Sequence, residues 1–140
     1  MPPLSLPVLA VLSAWAGEPW EDQLRAQTRL RSEAAHADMA GAGYHLVGVA
    51  RTHVLDAGAE ETVSLRLTPG TDYRILGVCD DDCTDLDLSL RNGRASGEAG
   101  GGDRWPMLSV RPVAPASTVQ VTMAHCATPN CGYQLTVWKR

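Results

Sequence analysis

The chain has 140 residues, 44% hydrophobic and 20% charged, with a formal net charge of −4, the size and balance of one globular domain with a single core. No long basic run occurs, so the electrostatic footprint of a nucleic-acid partner is absent and none is expected. Phenylalanine is missing and aromatics total 5%. The core must therefore be built from Leu, Val and Ala, with Tyr and Trp as occasional large fillers.

At the N-terminus no charged side chain precedes Glu18. Leu4 to Leu12 is a short apolar run, and Ala14-Trp15-Ala16 supplies small residues in an A-x-A pattern. Residues 1–16 are expected to be a secretory signal peptide cleaved after Ala16, although no Lys or Arg stands ahead of the run. The run is short for a bilayer span and no second run of spanning length follows, so no membrane span is expected. Export to the periplasm or beyond makes sense of the four cysteines, because an even count in an oxidising compartment usually means disulfides.

Residues 17–41 are expected to form an N-terminal helix. Pro19 suits a first turn, and Glu18, Glu21 and Asp22 precede Arg25, Arg29 and Arg31 as the macrodipole favours. The apolar stripe is thin (Trp20, Leu24, Ala35 and Met39), so the helix should pack on one side or dock on a partner. Gly41 and Gly43 should end it.

Residues 42–140 change character. Tyr44 to Leu55, Thr62 to Leu67, Asp72 to Cys79, Asp85 to Leu90, Met107 to Arg111, Thr118 to Cys126 and Tyr133 to Trp138 are short runs rich in Val and Leu, divided by turn signals such as Pro69-Gly70 and Asn92-Gly93. Several alternate with period two: Val63, Leu65 and Leu67; Leu86, Leu88 and Leu90; Val119, Val121 and Met123. Half-buried strands at this spacing predict an antiparallel β-sandwich or barrel. Ser96 to Asp103 is Gly-rich and is expected to be a mobile loop.

The stretch CDDDCTDLDLSL, from Cys79 to Leu90, concentrates acids between two cysteines. Asp85 and Asp87 should share one strand face, about 7 Å apart. Calcium is the cation such oxygen ligands would select, with Asp80, Asp82 and Asp85 as candidate ligands. An EF-hand does not fit: counted from Asp80, position six is Asp85 where Gly is needed, and position twelve is Arg91 where Glu is needed. Apart from calcium no cofactor is expected.

For the cysteines, local pairing is expected, Cys79 with Cys83 and Cys126 with Cys131; the alternatives join the two regions. A five-residue ring is worth roughly 2 kcal/mol on the chain-entropy model, against about 4 for a loop of some fifty residues. Local bridges should therefore fix turns. If Cys126 to Cys131 is a hairpin tip, Val121 falls opposite Thr136 and the apolar faces are out of step by one residue. A bulge at or beside Gly132 is expected to restore them. The spacings fit neither a zinc finger nor a C-x-x-C redox site.

His36, His45, His53 and His125 are scattered without a metal-type partner, and no G-x-S-x-G elbow occurs. No catalytic residues and no enzyme activity are expected. Trp105-Pro106 follows the Gly-rich stretch. It could offer an exposed platform for sugar or peptide, but the preferred expectation is that Trp105 caps the core where the next strand enters.

The run from Gly70 to Val137 resembles the bacterial pre-peptidase C-terminal domain family. The resemblance rests on Tyr73, on Asp85-Leu86-Asp87-Leu88, on Asp103 and Pro106, and on Tyr133 to Val137. It covers about half of the chain. The four cysteines resemble those of a cysteine-containing exported variety in which a helix precedes the sandwich. The resemblance implies a jelly-roll-like β-sandwich, exported and usually non-catalytic, with calcium assisting related collagen-binding modules. Two departures stand out. The 140 residues hold no peptidase domain, and Arg91-Asn92-Gly93 replaces the acidic residue usual after the D-L-D-L strand. The expectation is a non-catalytic binding or accessory module that presents Asp80 to Asp85 to a protein, a glycan or a cation. The alternative is a structural subunit of a cell-envelope or extracellular assembly, docking through its N-terminal helix.

Overall fold

The computed structural model describes residues 33, 34 and 37–140. The expected signal segment and most of the expected helix lie outside the described residues. Residues 37–41 are helical, and the helix ends as its glycines require. The Tyr44 amide donates to the Met39 carbonyl at 2.8 Å and the Gly43 amide to that of Ala40 at 3.0 Å, with Gly43 at φ +82°. This is a Schellman cap, completed by the apolar contact of Met39 with Tyr44.

Eight strands follow: β1 (His45–Asp56), β2 (Glu60–Arg66), β3 (Tyr73–Cys79), β4 (Cys83–Asn92), β5 (Ala95–Ala99), β6 (Met107–Val110), β7 (Ala116–Cys126) and β8 (Asn130–Lys139). They form two four-stranded sheets ordered β1-β8-β3-β6 and β2-β7-β4-β5, with every pairing antiparallel. Every connection except β4–β5 carries the chain from one sheet to the other. That alternation is the strand order of a jelly roll, so the predicted fold class is observed.

Period two decides what is inside. Val63, Leu86, Leu88, Leu90, Val119, Val121 and Met123 of the second sheet meet Ile75, Tyr133 and Leu135 of the first. Each fully buried aliphatic side chain contributes about 1.5–3 kcal/mol. Gly77 lies where β3 presses on this core: a Cβ there would come within 3.0 Å of Leu86 Cδ2 and 3.2 Å of Pro106 Cγ.

Two expectations about elements are corrected. Ser96 to Asp103 is not wholly loop, because residues 96–99 belong to β5, which pairs with β4 from Leu88↔Ala99 to Asn92↔Ala95. Its inward positions are Ala95, Gly97 and Ala99, too small to register as an apolar stripe. Second, β7 and β8 are not a hairpin. They lie in different sheets, so their apolar faces look at each other across the core. The one-residue mismatch needs no bulge, and Gly132 sits in a regular ladder opposite Val54. The register shifts fall elsewhere, in the β1–β8 pairing at Leu46/Gly48 and Val49/Arg51 and in the β4–β7 pairing on either side of Asp85.

The disulfides change meaning with this topology. Cys79–Cys83 and Cys126–Cys131 are both closed. Each is local in sequence, yet each joins a strand of one sheet to a strand of the other. Cys83 lies opposite Cys126 in the β4–β7 ladder, so the two bridges clamp the same end of the sandwich. At the other end of β4, Asn92 is fully buried. Its Nδ2 donates to the Ala114 carbonyl at 2.7 Å, the Ala116 carbonyl at 3.2 Å and Ser117 Oγ at 2.6 Å. Its Oδ1 accepts from the amides of Val113 and Ala114 at 2.7 and 3.0 Å. One side chain thus satisfies the corner leading into β7.

Candidate functional site

The acidic turn is closed onto the protein. Asp80 Oδ1 accepts from the Asp82 amide at 3.2 Å and Oδ2 from the Gly132 amide at 2.8 Å. The Asp82 carbonyl accepts from the Ala127 amide at 2.8 Å. Arg104 donates to the carbonyls of Cys83 at 3.1 Å and Asp81 at 3.0 Å, with the Asp81 carboxylate 3.9 Å from its guanidinium. Arg104, on the loop after β5, thus brings positive charge to the acidic turn. Among the described residues no group of three or more His, Cys, Asp or Glu is arranged to hold a metal ion. Of the candidate calcium ligands Asp80, Asp82 and Asp85, Asp80 is the one tied down by two backbone amides.

Asp85 and Asp87 alternate with the buried Leu86 and Leu88 along β4. The register shifts on both sides of Asp85 break the expected strand spacing. Its Oδ1 is buried with no donor. Asp87 Oδ1 accepts from the Gly101 amide at 3.2 Å. Burial, the side-chain hydrogen bond with Asp85 and the Asp85 charge push the Asp87 carboxyl above its ordinary value, against the opposing pull of the Gly101 amide. An open polar groove of about 400 Å³ lies beside them, lined in part by Asp87, Ser89, Glu98, Gln120 and Thr122.

A second polar cluster joins the sheets on their β1–β2 side and had no signature in the sequence. Glu61 points inward from β2 and accepts from the Tyr133 hydroxyl. Arg51 donates to its two oxygens at 3.3 and 3.4 Å, and His53 Nδ1 lies 3.0 Å from Oε2. Burial pushes Glu61 up, but the hydrogen bonds from Tyr133 and Arg51 and the His53 and Arg51 charges outweigh it and leave the carboxyl below its usual range. Burial, then Glu61, raise the Tyr133 hydroxyl far above its ordinary value. Every group here is consumed by its neighbours.

The remaining concavity is different in kind. On the outer face of the first sheet, between the helix end and residues 99–105, runs a groove of about 800 Å³. Met39, Leu76, Val78, Trp105 and Met107 line it. Leu76 and Val78 face away from the main core that Ile75 and Cys79 join and form the groove's floor, packed with Met39, Tyr44 and Trp138 and only 7% and 2% exposed; Met107 stands beside Leu76 in the β3–β6 register. Trp105 is 48% exposed and Met107 43%, whereas Pro106 is fully buried against the core. The core cap expected of Trp105 is therefore supplied by its neighbour: the fixed ring of Pro106 fills the space over Gly77 and turns the indole outward.

Arg74, outward from β3, also lines the groove. Its guanidinium carbon lies 4.3 Å from the centre of the Tyr44 ring, and Nη1 reaches the Met39 sulfur at 3.8 Å. Nε is buried without an acceptor. Asp38 and Asp103 line the same groove, both exposed, and Asp103 Oδ1 accepts from the Trp105 amide at 2.9 Å. The sequence holds one clue to Arg74, a cation in an outward series that otherwise reads Leu76 and Val78.

No family model and no curated protein matches the sequence. Among solved structures, the chain is similar to the pre-peptidase C-terminal domain of collagenase from Bacillus anthracis at 8% identity, covering 65% of this chain and 90% of that one with a TM-score of 0.48. It is also similar to PliG of Aeromonas hydrophila, a periplasmic inhibitor of g-type lysozyme, at 12% identity, 71% and 90% coverage and a TM-score of 0.44. A CBM36-1 domain of a multidomain xylanase from the hindgut metagenome of Trinervitermes trinervoides is similar at 10% identity, 69% and 96% coverage and a TM-score of 0.37.

Proposed function

We propose that this chain is an exported, non-catalytic β-sandwich binding module that takes its ligand in the groove between the helix end and Trp105. Two disulfides and no free cysteine among the described residues support an oxidising compartment. The single observation that carries the binding site is the groove itself: about 800 Å³ is the size of a small-ligand site, and its apolar walls with a few polar groups are what such sites use. The acidic turn is the weaker candidate, because Arg104 and backbone amides already hold it. Titration of the full ¹⁵N-labelled chain with decanol, a neutral apolar probe, tests the reading. Saturable amide shifts over residues 74–78 and 99–107, weakened by Trp105→Ala, are expected. Absent or diffuse shifts would remove the groove as the site.

A further inference from the structure

Among the described residues Arg74 is a half-buried cation without an ion pair. A polar group buried without a hydrogen-bond partner is costly, and part of the Arg74 guanidinium is in that position. Its Nε has no acceptor, and the thioether that Nη1 reaches is a weak one. The contrast is Arg140, which lies over the same Tyr44 ring at 4.9 Å and is paired with Asp72 at 3.2 Å. Tyr44 holds Arg74 by a cation–π contact, so the guanidinium is fixed in place at the groove with its charge unspent.

We propose that the groove binds a small molecule with one carboxylate on an apolar body, and that Arg74 receives the carboxylate while the body lies along Met107 towards Trp105. This rests on the groove being the binding surface. A planar guanidinium matches a carboxylate through paired N–H donors, which a hydroxyl or an amide cannot reproduce. Asp38 and Asp103 stand in the same lining and repel further negative charge, so the ligand carries one anionic group and not several. The apolar walls set the rest of its chemistry.

Decanoate and decanol share a chain and differ in the head group, so calorimetric titration of the full protein with each separates the two claims. Decanoate is expected to bind about ten- to a hundredfold more tightly than decanol, the usual worth of charge-assisted hydrogen bonds. Arg74→Met should erase that difference. Arg74→Lys, which keeps the charge but not the fork, should retain part of it. Equal affinity of the wild type for both probes, or a preference for decyltrimethylammonium, would overturn the carboxylate inference and leave the groove as the site. Undiminished decanoate binding by Arg74→Met would do the same. Failure of every probe to bind saturably would overturn both.

Discussion

Asn92 shows how much one side chain can hold. Its amide meets five groups around the corner into β7, and with it gone those buried donors and acceptors have no partner. Asn92→Ala is expected to cost about 2–4 kcal/mol in chemical denaturation, the range for breaking a buried polar network. Glu61 and Asp87 make opposite pH predictions. Glu61 sits below its ordinary 4.5, so its contribution is fully present above that value and is lost as pH falls through the lower folded one. The stability gap between wild type and Glu61→Gln should therefore be constant near neutrality and shrink in acid. Asp87 sits above its ordinary 3.8, so its contribution is full below that value and lost as pH rises through the folded one. Asp87→Asn, which removes the charge that burial and Asp85 disfavour, should raise the melting temperature by about a few degrees at pH 7 and change nothing at about pH 3.

At the scale of elements, the two disulfides and the β7–β8 crossing form one device. Each bridge closes a short ring, so removing Cys126–Cys131 by double substitution to alanine should cost only about 2 kcal/mol. The loss should be local. Amide exchange is expected to rise around residues 79–83 and 126–132 while the Asn92 end stays protected; uniform loss of protection would contradict the clamp. The limits of the sequence are clearest in these elements. Alternation in Val119, Val121 and Met123 and in Tyr133, Leu135 and Val137 was legible, because each strand buries one face. Whether those two faces lie side by side or across the core was not, since both arrangements bury the same residues. β5 escaped notice because Ala and Gly on its inward face leave no apolar contrast.

Across the whole molecule, the sandwich is closed covalently at one end, by Asn92 at the other, and by Glu61 with Tyr133 along the β1–β2 side. The groove lies on the outer face over β3 and β6, apart from all three closures. Its parts were only half legible. Trp105 was visible as an exposed-platform candidate, yet the burial of Pro106 that turns it outward depends on the space over Gly77, which is tertiary. Arg74 stood out even less, because a strand arginine is unremarkable until the residues flanking it on the same face prove apolar. The acidic stretch drew attention by composition, and its compensating charge came from Arg104, two strands away in sequence. The measurement that tests the account most directly is amide and indole shift mapping of decanoate on the full ¹⁵N-labelled chain. Perturbations confined to residues 74–78 and 99–107, with the Trp105 indole among them, are expected; perturbations centred on residues 80–85, or on the polar groove beside Asp87, would contradict it.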